Sequence, residues 1–109
     1  LADFMERLRQ FVRERDWEQF HTPRSLAVSI AVETGELLEH VQWREGDDLD
    51  AYLADPEKRQ ALAAEVADVL IYALLLADRL GCDPLDLLYQ KLAQNRKKYP
   101  AAAYRGRFE

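Results

Sequence analysis

One apolar stretch, residues 65–77, constrains the fold of this chain more than any other. Its sequence, EVADVLIYALLLA, is apolar on nearly every side, which predicts a buried helix. The first turn nevertheless carries two carboxylates, Glu65 and Asp68, and positions three residues apart share one helix face. Two anions side by side in a protein core are costly unless a cation lies between them. The stretch therefore raises the question of which cation it holds.

The composition bounds the class of protein. A chain of 109 residues predicts a single domain over 1–109, and 49% hydrophobic with 32% charged residues is typical of a globular protein. The net charge of -5 does not indicate an extended positive surface for binding DNA or RNA, so we expect neither as a partner. Cys82 is the only cysteine, and the longest apolar run, residues 69–77, is about half of the roughly 20 residues that a membrane span needs. We expect a cytoplasmic protein without a membrane partner.

Proline start signals divide the chain into helices. Thr22-Pro23, Asp55-Pro56 and Asp83-Pro84 each place an N-cap residue before a proline at the first helical position. The pattern predicts four helices: residues 2–15, Pro23 to about Trp43, Pro56 to Leu80 with Gly81 ending it, and a fourth from Pro84 that Pro100 closes. Residues 44–50 are expected to be a polar loop. Four helices with short connections and no strand pattern predict an all-α, four-helix bundle.

The third predicted helix has more apolar surface than a peripheral helix of a four-helix monomer would need. A peripheral helix keeps one wet face, whereas this one is apolar all round. We therefore expect a homo-oligomer in which the extra surface is covered by another subunit. The alternative is a monomer in which this helix is fully central.

A second carboxylate pair, Glu33 and Glu36, lies in the second predicted helix, again three residues apart in an apolar frame. If the two helices pack antiparallel, four carboxylates can converge, and all-oxygen ligation suits a hard cation such as Mg²⁺. Gly35, between the two glutamates, costs roughly 1 kcal/mol in a helix interior, which is tolerable if something must approach the backbone closely there. The alternative is that these glutamates are solvated on wet helix faces.

A di-iron bundle is the competing metal site. It requires Glu-x-x-His on two helices, and Glu18 and His21 fit this pattern once, at a helix boundary. Neither carboxylate pair has a histidine three positions further on, so the pattern favours Mg²⁺ over iron. His40, near the end of the second helix, is expected to be a surface histidine.

The fourth predicted helix supplies positive charge. Lys91, Asn95 and Lys98 recur at helical spacing, and Asn95 stands where an apolar stripe should continue. Lysine binds phosphate as a point charge, and asparagine both donates and accepts hydrogen bonds. The alternative is a basic last turn that complements the helix dipole, which explains Lys98 but not Asn95.

Aromatic side chains offer stacking surfaces for a base. Trp17, Phe20 and Trp43 are the candidates, with His21 close to the first two in sequence. The alternative for each of these rings is packing in the core.

Taken together, these motifs resemble the all-α nucleoside triphosphate pyrophosphohydrolases, the MazG-like superfamily, and within it the dCTP pyrophosphatase-like branch. Val32 precedes Glu33 where the broader family pattern has a glutamate, which is similar to that branch. The similar stretches follow the expected order over most of the chain: residues 14–21, 33–37, 42–43, 68–72 and 95–100.

The resemblance implies Mg²⁺-dependent hydrolysis of (d)NTPs, in particular dCTP or modified cytosine nucleotides, to monophosphate and pyrophosphate, as in the house-cleaning of nucleotide pools. It implies metal ligation by Glu33, Glu36, Glu65 and Asp68, with Glu33 or Glu36 as the general base. It further implies a site between subunits of a homo-oligomer, with a tetramer favoured and a dimer open. A catalytically silent helical module that binds a nucleotide or a protein is the alternative.

The resemblance also implies roles toward the substrate for other side chains. Lys91 and Asn95 would contact phosphates or sugar, with Arg79 as a further candidate, and Tyr72 would line the sugar pocket. Trp17 and Trp43 would flank the base, with His21 and Tyr99 nearby.

Overall fold

Helices make up the regular structure of residues 1–107, the part of the chain that this computed structural model describes, and no strand occurs among them. The predicted all-α class is confirmed for these residues. The helices are α1 (Ala2–Glu14), α2 (Pro23–Glu39), α3 (Gly46–Ala54), α4 (Pro56–Arg79), α5 (Pro84–Lys98) and the short α6 (Ala101–Tyr104), with a 3-10 turn at Glu18–Phe20 before α2.

The proline start signals work as the sequence predicts. In α2, α4 and α5 the cap side chain accepts a hydrogen bond from a first-turn backbone N–H, at 3.1 Å for Thr22 and 3.0 Å for Asp55 and Asp83. Each cap thus satisfies an N–H group that the helix itself leaves without a partner. These three starts fix where the long helices begin and therefore how they can pair.

The connection between α2 and α4 differs from the prediction. α2 ends at Glu39 rather than near Trp43, and helix α3 (Gly46–Ala54) begins within residues 44–50, where a polar loop was expected. Gly46 begins α3 at φ +57°, a left-handed conformation that glycine adopts without a Cβ penalty. The negative charges of Asp47 and Asp48 in the first turn interact favourably with the positive end of the helix dipole. Helix α3 packs on α4.

The small core lies where α1 meets α2 and α4. Leu26 of α2 is 1% exposed, and Met5, Leu8 and Val12 of α1 are buried with Ala77 of α4. These α1 positions follow a spacing of three and four residues. Phe4 and Phe11 of the same helix are instead 42% and 43% exposed.

Helices α2 and α4 form the main helix pair and run antiparallel. Glu33 and Glu36 of α2 meet Glu65 near the middle of α4, whereas Leu26, earlier in α2, lies beside Leu75 and Arg79, later in α4. The antiparallel packing that convergence of the two carboxylate pairs requires is therefore present.

A single chain leaves much apolar surface open. Its radius of gyration is 17.3 Å, against about 13 Å for a compact domain of this length. Its accessible surface is 8693 Å², against roughly 6,200 Å² for a compact monomer of this mass. Only Ala77 of α4 is buried, and Val66 and Leu70 are 42% and 57% exposed. The helix expected to be buried is therefore mostly uncovered within one chain.

Among the described residues, α4 is the one helix long and apolar enough to cross a membrane, with a mean hydropathy of 1.7 over its most apolar window. The sequence prediction considered only residues 69–77, but the whole helix has 24 residues. Length and composition alone do not separate a span from a helix covered by protein. Since Glu65 contributes to a carboxylate cluster with α2, this side of α4 is engaged by protein.

Candidate metal centre and nucleotide site

Three carboxylates converge between the two central helices. Glu33 and Glu36 lie one turn apart on α2, and Glu65 faces them from α4. One oxygen atom from each carboxylate lies within 4.8 Å of the others. The antiparallel packing of α2 and α4 produces this arrangement from two pairs that are far apart in the sequence.

The electrostatics of the cluster are unfavourable without a cation. The Oε2 atoms of Glu33 and Glu65 are buried and have no hydrogen-bond partner among the described residues. Burial raises the pKa of Glu33 from its ordinary value of 4.5 to about 7, with further increases from the neighbouring carboxylates of Glu36, Asp68 and Glu65. Buried oxygen atoms without donors are rare and costly, and a hard cation ligated by oxygen would satisfy them. The donor set therefore fits Mg²⁺.

Asp68, the fourth predicted ligand, lies outside the group of three that the described residues bring together. Its side chain is exposed on α4, one turn after Glu65. Its negative charge is nevertheless close enough to raise the pKa of Glu33. Asp68 thus borders the cluster, and its role as a ligand stays a prediction.

A cavity of about 250 Å³ lies on the side of the cluster toward the start of α2. Leu26, which lines it, precedes Glu33 by seven residues, or about 10 Å along the helix. Two residues predicted to bind substrate, His21 and Arg79, line the same cavity. The remaining lining residues are Arg9, Val12, Arg13, Glu18, Leu75 and Asp78.

An ion pair in the wall of this cavity links α1 to α4. Arg9 of α1 donates to Asp78 of α4 through Nη2, 2.8 Å from Oδ1, and through Nε, 3.1 Å from the same oxygen. Both side chains are partly buried, so water screens the pair less than it would screen a fully exposed one. The pair ties α1 to the end of α4. Sequence reasoning missed Arg9, Arg13, Glu18 and Asp78 as cavity residues, since no motif connects α1 with the end of α4.

Trp17 and Trp43 lie toward opposite ends of α2. Trp17, just before the helix, packs edge-to-face on Phe11 at 5.8 Å between ring centres. Trp43 follows the helix and is 84% exposed. Because the 17 residues of α2 extend about 25 Å, the structure does not bring these two side chains together within one chain.

Other predicted substrate contacts lie on α4 and α5. Tyr72 is half-buried one turn beyond Asp68, Asn95 is half-buried, and Lys91 is exposed. Tyr99 follows α5 and packs edge-on against Tyr104, at 5.2 Å between ring centres. These positions extend along the central helices without forming one enclosed pocket in the described chain.

His40 differs from the prediction. It was expected to be a surface histidine, but it is half-buried and its Nδ1 lies 2.8 Å from the hydroxyl of Tyr52. Tyr52 lies on α3, a helix that the sequence analysis did not identify, so the partner could not be predicted.

The sequence of this chain matches a known family. The sequence pattern of the MazG-like family matches residues 28–107, and the chain belongs to this family. The predicted resemblance is thereby confirmed.

Individual relatives give a more specific comparison than the family as a whole. The chain is 40% identical over 106 residues to dCTP pyrophosphatase 1 of Mus musculus, covering 97% of this chain and 62% of the mouse protein. It is 43% identical over 102 residues to dCTP pyrophosphatase 1 of Homo sapiens, covering 93% of this chain and 59% of the human protein. The chain thus spans about three fifths of the length of these curated relatives.

A solved structure resembles most of this chain. A pyrophosphatase from Archaeoglobus fulgidus DSM 4304 superposes with a TM-score of 0.81 at 37% sequence identity, covering 91% of each chain.

Proposed function

We propose that this chain is a Mg²⁺-dependent nucleoside triphosphate pyrophosphohydrolase that converts dCTP or modified cytosine nucleotides to the monophosphate and pyrophosphate. The observation that carries the proposal is the three-carboxylate cluster with two buried oxygen atoms that lack hydrogen-bond partners in the described chain. Membership of the MazG-like family and the names of the relatives support the same reaction.

The carboxylates of Glu33, Glu36, Glu65 and Asp68 would hold the cation. A bound Mg²⁺ would neutralise charge on the phosphate oxygens and so stabilise the transition state. Glu33 or Glu36 accepts a proton from the water that attacks phosphorus. Lys91 and Asn95 contact phosphates or sugar, and Tyr72 lines the sugar pocket.

The cavity beside α1 would take the base. It lies about 10 Å along α2 from the carboxylate cluster, and its lining combines the carboxylates of Glu18 and Asp78 with cationic side chains. Cytosine presents an exocyclic amino donor beside acceptor atoms. Glu18 would accept from the amino group, while His21 and Arg79 would donate to the acceptors. Tyr99 would lie near this pocket.

A second copy of the chain would complete the site. Trp17 can border the base in its own chain, whereas Trp43 lies toward the other end of α2 and would reach the base bound by another copy. The open surface of α4, including Val66 and Leu70, supports a homo-oligomer. We infer a tetramer in which α4 is covered by protein.

The test is a panel of the four dNTPs with Mg²⁺ or EDTA, with products separated by ion-exchange chromatography. We expect Mg²⁺-dependent conversion of dCTP to dCMP and pyrophosphate, faster than conversion of the other nucleotides. Diphosphate and phosphate as products would contradict the proposed bond cleavage. No turnover of any nucleotide would favour a catalytically silent binding module.

A further inference from the structure

Three side chains join α2 to α3 around the ring of Tyr52. His40 Nδ1 and the Tyr52 hydroxyl lie 2.8 Å apart, in a hydrogen bond whose direction follows the imidazole tautomer. The guanidinium of Arg44 lies 4.1 Å from the centre of the Tyr52 ring, a cation–π distance. Arg44 Nη1 also donates to the carbonyl oxygen of His40 at 3.3 Å. We call His40, Arg44 and Tyr52 the Tyr52 latch.

The Tyr52 latch holds both ends of the short turn from His40 to Arg44. Within the turn, the N–H groups of Val41 and Gln42 donate to the carbonyl of Leu38 at 3.0 and 2.8 Å. The Arg44 N–H donates to the Val41 carbonyl at 3.0 Å. The backbone between His40 and Arg44 is therefore hydrogen-bonded internally, and the side chains at both its ends are fixed to one ring on α3.

The side chain presented by this turn is Trp43. At 84% exposure it is the most exposed large apolar side chain among the described residues. An indole held out from the chain offers a flat surface on which a base can stack. Holding its backbone in place before binding lowers the entropy lost on binding.

We propose that His40, Arg44 and Tyr52 are positioning residues that preset Trp43 for stacking on a nucleobase bound by another copy of the chain. The proposal rests on the proposed function, because it takes a nucleotide as the ligand. It goes further by assigning a role to three residues that do not themselves touch the substrate. A purely structural latch would support α3 without affecting the motion of Trp43 or the affinity for nucleotide.

The decisive variant is Tyr52→Phe, which removes the hydroxyl and keeps the ring under Arg44. Since the chain has two tryptophans, a Trp17→Phe background leaves Trp43 as the only tryptophan, which is excited selectively at wavelengths that tyrosine does not absorb. In this background we expect Tyr52→Phe to lower the fluorescence anisotropy of Trp43. With Trp17 intact, we expect KM for dCTP to rise about three- to fivefold while kcat changes by less than about twofold. Tyr89→Phe, at a 68% exposed position on α5, is the matched control and should change neither.

A double-mutant cycle separates positioning from general weakening. Trp43→Ala should raise KM, and adding Tyr52→Phe to it should raise KM no further, because the latch acts through Trp43. Arg44→Ala removes the contact between the other end of the turn and the Tyr52 ring, and it should also lower the anisotropy of Trp43. It replaces Tyr52→Phe in the test if that variant does not fold.

Unchanged Trp43 anisotropy in both variants would overturn the latch, and so would additive effects on KM in the cycle. Absence of nucleotide turnover in the wild-type protein would overturn the proposed function instead. The anisotropy measurement depends on no turnover, so the two failures are distinguishable.

Discussion

Glu33 combines burial with three acidic neighbours. Its Oε2 atom has no hydrogen-bond partner in residues 1–107, and its pKa is raised to about 7, first by removal from water and then by the nearby carboxylates. Between the unfolded pKa near 4.5 and the folded pKa near 7, the folded state without metal binds more protons than the unfolded chain. The contribution of Glu33 to stability is therefore complete below pH 4.5 and is lost as the pH rises through 7.

The direction of this pH dependence gives a prediction for the stability of the metal-free protein. In EDTA, the melting temperature measured by circular dichroism should fall as the pH is raised from about 5 to about 7.5. Glu33→Gln, which cannot ionise, should flatten this dependence. Mg²⁺ should raise the melting temperature most at pH 7.5, where Glu33 is free to ligate. A wild-type melting temperature that rose over this interval in EDTA would contradict the assignment of Glu33.

At the scale of single residues, three of the four carboxylates predicted to converge do so, but the sequence did not predict their final arrangement. The spacing of three residues identified both pairs because it depends only on helix geometry. That Glu65 joins Glu33 and Glu36 while Asp68 borders the group depends on how α2 crosses α4, and no local pattern encodes this. The same holds for the cavity, whose lining comes from four separate segments.

Among the helices, the sequence predicted starts and stops where one residue type determines the backbone. Gly81 was expected to end the third predicted helix, and it lies at φ +75° just after α4. There the Cys82 N–H donates to the Ala77 carbonyl and the Gly81 N–H to the Asp78 carbonyl, each at 3.0 Å, a Schellman motif. Helix α3 was not predicted because it has only nine residues and begins with an acidic first turn, so it shows no clear apolar period.

A substitution at Gly81 tests the end of α4. A Cβ there would meet nothing within 4 Å in the described chain, so Gly81→Ala introduces backbone strain without a clash. We expect a loss of about 1–2 kcal/mol in the free energy of unfolding and a melting temperature lower by at least about 4 °C. Gly81→Asn should lose less, because asparagine tolerates the left-handed region better. Equal melting temperatures for Gly81→Ala and the wild-type protein would contradict this account.

For the whole molecule, the surface of one chain is larger than a monomer of this mass should expose. The accessible surface of 8693 Å² and the radius of gyration of 17.3 Å both exceed the values for a compact domain. The apolar pattern of residues 65–77 predicted that another surface must cover this helix. The spacing of residues within one helix does not specify which surface that is. In the proposed assembly a second copy would cover this face and would also bring Trp43 to a site.

The oligomer can be tested by sedimentation. For the proposed tetramer we expect a mass of four times 12.7 kDa at micromolar concentration. Leu70→Glu places a charge on the open face of α4 and should reduce the mass toward one chain. Gln60→Glu adds the same charge at an exposed polar position of α4 and should leave the mass unchanged. A monomeric wild-type protein would contradict the proposed assembly.

The central claim is that the carboxylate cluster holds the cation required for hydrolysis, and one measurement tests it most directly. Pyrophosphate released from dCTP in the presence of Mg²⁺ is measured for the wild-type protein, for Glu65→Gln, and for Glu39→Gln, an exposed α2 glutamate outside the cluster. We predict that Glu65→Gln lowers the rate by more than about a hundredfold with its helical circular dichroism spectrum intact, while Glu39→Gln retains the wild-type rate. A Glu65→Gln variant that released pyrophosphate at near the wild-type rate would contradict the account.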